Sequence, residues 1–344
     1  MLAVLVDWRV PQIDHFLWDW LRSMRGAGQV PGDIAIVAID EPSIARIGPF
    51  PWPRTVAARA IDAIAAARPK AIALDVLYVD PTNALDDGEL ARSIARAGNV
   101  VVAAQLVESP AAKTWLLPLP EIERAATALG HINVLKDEQG IERDLVMRPT
   151  DDKGRAIFPM AVETVWVGEN VDRRPARTAL MTIDFIGPAG SFSQRTYSLV
   201  DVIDGRVPAA DLRGKYVLVG ATAKTLGGRI VSDRHGGSMP GVEALANAVN
   251  TIARSRFYSE TPNVNEILYS ALAAALTLGL LTLATELILR IGALVAIGVS
   301  IAVSGFIAYT VFLVYPAWTA ELVSFACAAL LGLLWGPRRS TDHL

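Results

Sequence analysis

Asp40 and Glu41 directly follow the apolar run Asp33–Ile39, Asp75 lies close to the end of the run Lys70–Val76, and Arg54 starts the helical stretch between them. Ligands of parallel α/β sheets bind outside the carboxyl ends of the strands. Carboxylates and a guanidinium at such points are therefore candidates for one polar ligand pocket, with or without a cation. A structural role stands beside this one. Asp40 and Ser43 can cap a turn while Arg54 neutralises Asp75, because ion-pair networks also sit at strand ends. Phe50-Pro51-Trp52-Pro53 is stiffened by its prolines. With Trp52 it either lines a pocket or a dimer face, or packs as a stiff loop over the sheet. Glu243 and Asn247 lie one turn apart on a helix that Pro240-Gly241 opens, so they share a face. They suit a paired polar contact to a ligand, or bonds to the preceding loop.

Other constellations carry less chemistry. Ser232-Asp233-Arg234-His235 holds a hydroxyl, an acid and a base. Catalytic triads are assembled from distant segments, however, and an exposed loop is expected here. Gly220-Ala221-Thr222, with Gly227-Gly228 nearby, has neither a GxGxxG nor a Walker pattern and reads as a flexible strand-end turn. His131, between Gly130 and Ile132, reads as a satisfied core histidine. The single cysteine, Cys327, excludes an intramolecular disulfide and thiolate zinc sites, and the four histidines show no metal-ligand spacing. A net charge of −3 without any basic cluster gives no reason to expect nucleic acid as a partner. No cofactor and no catalytic group is expected, which ranks a membrane-anchored hydrolase last.

The elements that must position these residues alternate along residues 31–262. Strands are expected at 33–39, 70–76 and 99–105, with helices at 55–67 and 86–97 between them. From Pro110 to Arg177 the pattern loosens, with short strands expected at 131–135 and 145–148 and a helix at 159–167. A strand at 182–185, a short helix at 199–203, a strand at 215–219 and a helix from 239 to about 253 close the domain. The fold class is α/β, with a mixed, largely parallel sheet flanked by helices. Residues 1–30 hold an amphipathic helix, with Ile13, Phe16, Leu17, Trp20, Leu21 and Met24 on one face.

Residues 263–337 are nearly free of charge. A span needs about 20 predominantly apolar residues, and three transmembrane helices are expected near 266–286, 291–313 and 317–336. Arg290, Arg338 and Arg339 put the first loop and the tail 338–344 on the cytoplasmic side. Tyr315 and Trp318 suit the opposite interface, and Glu321 lies near it, where it can stay wet. Residues 31–262 are then extracytoplasmic. Met1–Val6 is too short to span, so an earlier start with a lost first span is expected.

In this order the segments resemble the second type of CHASE domain, a bacterial extracellular sensor. The resemblance rests on Val37-Ala38-Ile39-Asp40-Glu41-Pro42-Ser43, Gly48 with Pro51-Trp52-Pro53-Arg54, and Ala73-Leu74-Asp75-Val76-Leu77. It continues through Gly98-Asn99-Val100-Val101, Gly130-His131-Ile132-Asn133, Phe185-Ile186-Gly187-Pro188 and Leu212-Arg213-Gly214-Lys215 with Val217-Leu218-Val219-Gly220. It ends on Met239-Pro240-Gly241-Val242-Glu243 with Ala246-Asn247. It implies a transmembrane receptor in the bacterial inner membrane, a homodimer that detects an unidentified small-molecule or envelope ligand. The stimulus would pass through the membrane helices to a separate or missing output kinase or cyclase. The resemblance also makes Asn133 a candidate ligand contact. Two positions depart from the family pattern: Leu245, where a histidine is common, and Gly228, where an acid is. A non-signalling envelope scaffold is the alternative function.

Overall fold

The computed structural model describes residues 17–18, 20, 28–136, 140–172, 174, 180–227, 229–231, 237–257, 259–260, 263–283, 286–311, 314–315 and 318–335. The chain divides into two compact units, one of residues 27–257 and one of residues 1–26 with 258–344. Of the expected amphipathic helix only residues 17, 18 and 20 are described, and they are helical. The rest of that helix, the loop 232–235, Gly228 and the tail 338–344 lie outside the described residues.

The unit 27–257 begins with β1 (Ile34–Ile39), α1 (Glu41–Ile47), α2 (Arg54–Ala66), β2 (Ala71–Asp75), α3 (Ala84–Ala97) and β3 (Val100–Glu108). The middle holds β4 (Lys113–Leu116), α4 (Pro120–Ala125), β5 (Ala128–His131), β6 (Leu135–Lys136), β7 (Glu142–Val146), α5 (Met160–Glu169) and β8 (Leu180–Thr182). The end holds β9 (Thr196–Ser198), α6 (Leu199–Ile203), β10 (Tyr216–Ala221), β11 (Arg229–Val231), β12 (Ser238–Pro240) and α7 (Gly241–Ala253). The main sheet runs β3-β2-β10-β1-β9 with every pair parallel. β5 joins β3 in parallel and β4 joins its far end antiparallel. β10 comes late in the chain yet sits between β1 and β2, so the carboxyl ends of β2 and β10 are neighbours.

All six residues of β1 are buried, as a strand covered on both faces requires. Successive side chains alternate between two helical layers. Ile34, Ile36, Ala71, Ala73, Val101, Ala103, Tyr216 and Leu218 pack with α5 and α7. Ala35, Val37, Ile39, Ile72, Leu74, Val217 and Val219 pack with α2, α3, α4 and α6. Small residues let the first layer come close. A Cβ on Gly130 would lie 2.3 Å from Met160 Cα, and one on Gly220 would lie 2.8 Å from Val242 Cβ.

The expected strands and helices up to β3, and α5, α6, β10 and α7, form with ends shifted by three residues or fewer. Three short strands start earlier than expected, at 128, 142 and 180. The cause is visible at the last. Past Thr182 the extended backbone finds side chains instead of a strand: Asp184 N–H donates to Thr251 Oγ1 at 3.0 Å, and Ile186 N–H to Asn247 Oδ1 at 2.9 Å. At 131–135 likewise, Asn133 supplies both bonds to the Leu106 backbone, each 2.8 Å. α1, α4, β4 and β9 were not expected from the sequence.

The second unit contains β13 (Ser259–Glu260), α8 (Asn263–Leu283), α9 (Leu287–Val311), β14 (Val314–Tyr315) and α10 (Trp318–Trp335). The three helices pack on one another. β13 pairs with β14 in parallel, Ser259 opposite Val314.

Candidate functional site

A partly open cavity of about 430 Å³ lies between the sheet and the α5/α7 layer, within the range of small-molecule sites. Three strands reach it with their last residues: Asp75 of β2, His131 of β5 and Ala221 of β10. Asp75 shares the parity of Ala71 and Ala73, which turns it toward α5 and α7. Met160 and Ala161 of α5 and Ala244, Leu245 and Ala248 of α7 form much of the remaining wall, with Leu77, Ile132, Val134, Leu145 and Ile183. The wall is mostly apolar.

The Asp75 side chain makes no hydrogen bond or ion pair among the described residues, and burial pushes its carboxyl up to about 6. His131 is buried, with its Nε2 2.9 Å from Val146 O. Burial lowers the imidazole to about 4, against the opposing effect of that bond, so the ring is neutral near pH 7. A carbonyl only accepts, so Nε2 carries the hydrogen and Nδ1 is left as a bare acceptor. Nδ1 is buried without a partner. The ring of Trp115 lies 6.0 Å from that of His131.

The other expected site residues lie elsewhere. Asp40 caps α1: its Oδ1 accepts from Ser43 N at 3.0 Å, Ser43 Oγ at 2.6 Å and Ser198 Oγ at 2.8 Å. Ser43 is fully buried, and its Oγ accepts from Val200 N at 3.2 Å. Glu41 is exposed in the first turn of α1, where a carboxylate favours the helix dipole. Glu243 accepts from Gly190 N at 2.8 Å and Phe192 N at 3.4 Å, while Asn247 holds Ile186 N and donates to Glu243 O at 2.9 Å. These two anchor the segment 186–192 to α7, and Asn133 continues β3 as described.

The expectation that Arg54 pairs with Asp75 is corrected. Arg54 Nε lies 3.5 Å from Asp87, its Nη2 donates to Asp80 O at 3.1 Å, and the guanidinium stacks 4.7 Å from the Tyr78 ring. The reason is parity: Asp75 faces the α5/α7 layer, and Arg54 starts α2 in the opposite layer. Arg54 and Trp52 instead line a cleft of about 30 Å³ with Phe50 and Tyr78, space for about one or two waters. Trp52 donates to Gly48 O at 2.7 Å. The four strand-end residues therefore do not share one pocket, and only Asp75 reaches the large cavity.

His131 was read from the sequence as a core histidine and not as a cavity wall. The signal that existed was Leu245: this departure from the family pattern lines the same cavity as Asp75 and His131.

The fold is an α/β domain with a cavity at the carboxyl ends of its parallel strands, the place where ligands of such sheets bind. A family model described as the CHASE2 domain matches residues 1–284. The chain belongs to the CHASE2 domain family, whose members are extracellular sensor modules of membrane proteins. No curated protein and no solved structure matches it.

Proposed function

We propose that the chain is a transmembrane sensory receptor module. Residues 31–262 meet the stimulus on the extracytoplasmic face, and α8, α9 and α10 cross the cell membrane and relay it to a kinase or cyclase output domain. The chain in this reading binds and transmits, and performs no chemistry itself. The observation that carries it is the outward face of the helical unit. Leu268, Leu276, Ile288, Val295 and Leu330 are exposed there, Ile288 at 79%. Large apolar side chains pointing out from a helical bundle suit lipid and not water. The stretch Ile288–Ala308 is long and apolar enough to cross a membrane, while the apolar stretches Leu268–Leu283 and Glu321–Leu330 are shorter. Tilt, local thinning of the bilayer and interfacial side chains accommodate the shorter two.

The pairing of β13 with β14 supports the orientation. It brings the entry to α8 and the turn between α9 and α10 to one end of the bundle. Arg290 then lies at the opposite end, the cytoplasmic one by the positive-inside rule. Reporter fusions to the full-length protein test this. Green fluorescent protein after Leu344 is expected to fluoresce, and alkaline phosphatase inserted beside Ser109 to be active. A dark fusion at Leu344 or an inactive insertion at Ser109 would refute the topology.

A further inference from the structure

We propose that the cavity at the ends of β2, β5 and β10 is a receptor site for a small organic cation, an amine on an apolar body, whose N–H groups donate to Asp75. This names the ligand class of the receptor reading, but it holds in either membrane orientation.

The polar inventory of the wall selects the ligand. Asp75 offers a carboxylate without a partner, and His131 adds no donor, since its Nε2–H goes to Val146 O and its Nδ1 is buried. A carboxylate accepts, so the complementary group must donate. Among the described residues no lysine or arginine lines the cavity, and an anionic ligand would face the carboxylate unscreened. A metal ion is poorly served as well. Zinc takes about four protein or water ligands and calcium six to eight oxygens, whereas among the described residues the wall offers one carboxylate. Among the described residues no cluster of three or more His, Cys, Asp or Glu is placed to hold a metal. A neutral ligand would leave an ionised carboxylate desolvated, which is costly. An ammonium removes that cost through a charge-assisted hydrogen bond. The remaining wall, from Met160 and Leu145 to Ile183 and Leu245, suits an apolar body. Arg54, the cation expected to pair with Asp75, does not compete, because it is engaged in the opposite layer.

Calorimetric titration of the full-length protein in detergent micelles at neutral pH tests the proposal. Three probes share one apolar body and differ in the head group: phenethylamine, phenethyl alcohol and hydrocinnamate. The amine is expected to bind about tenfold or more tighter than the alcohol, and the carboxylate more weakly still. Asp75→Asn, which keeps the shape of the side chain, should abolish the preference for the amine. Leu245→Trp, which fills the cavity, should weaken the amine by about tenfold. Equal binding of the three probes, no binding of the amine, or a preference that survives Asp75→Asn overturns the proposal. The probe comparison on the unmodified protein decides even if a variant misfolds. Binding in micelles does not depend on orientation, so failure here leaves the topology reading standing, and failure of the fusions leaves this one standing.

Discussion

An ionised carboxylate against an apolar wall costs folding free energy, and Asp75 carries that cost across the neutral range. Its folded value of about 6 lies above the ordinary 3.8. Its favourable contribution is therefore full below pH 3.8 and is lost as the pH rises through about 6. Asp75→Asn removes the penalty. The variant should be more stable than the parent above pH 6, by at most about 3 kcal/mol and less where water enters the cavity. The gain should vanish below pH 3.8. Thermal melts of the ligand-free protein across this range check it, and an asparagine variant no more stable at neutral pH would mean a well-solvated carboxylate. His131 has the opposite sign. Its value falls from 6.5 to about 4, so its contribution is full above pH 6.5 and is lost on acidification through about 4. It is present in parent and variant alike, so their difference isolates Asp75.

At the scale of elements, the cavity depends on how closely α5 lies over β5. Gly130 sets that approach, since any Cβ there would meet the backbone of Met160 at 2.3 Å. Met160 and His131 both line the cavity. Gly130→Ala must push helix and strand apart, and overpacking of this kind costs about 1–3 kcal/mol. The expected result is a lower thermal midpoint together with a distorted cavity. An unchanged midpoint would show that α5 moves freely. β1, α2 and α7 were legible because their signals are local: a continuous apolar run, an alanine-rich stretch, a proline-glycine start. Residues 183–186 were not legible as they stand. Their backbone is held by Thr251 and Asn247, and no local pattern announces a partner some sixty residues away. α1 was hidden for another reason, being a short helix whose start, Asp40 with Ser43, read as the cap of a turn.

For the whole molecule, both cores of the sheet, from Ile34 to Ile252, fall within the unit 27–257. Residues 27–257 expressed alone should therefore unfold in one cooperative thermal transition. A gradual, non-cooperative melt would show that the domain needs the helical unit to fold.

The alternation of β-branched apolar runs with alanine-rich helices determined an α/β domain, and the charge-free stretches after residue 262 determined apolar helices. Both follow from short-range physics: backbone propensity, side-chain periodicity and hydropathy act over a few residues. Which candidate residues share a site was decided only by the tertiary structure. Asp75 and Arg54 both stand at the strand ends in sequence, yet strand parity sends one to the α5/α7 layer and the crossover helix carries the other to the opposite one. Glu243, Asn247 and Asn133 have the polarity of ligand contacts, but buried backbone groups must find partners, and the segments folded beside them claimed these side chains first. Among the described residues the Asp75 side chain has no partner: the late strand β10 entered beside it with Gly220 and Ala221, which have nothing to donate from a side chain.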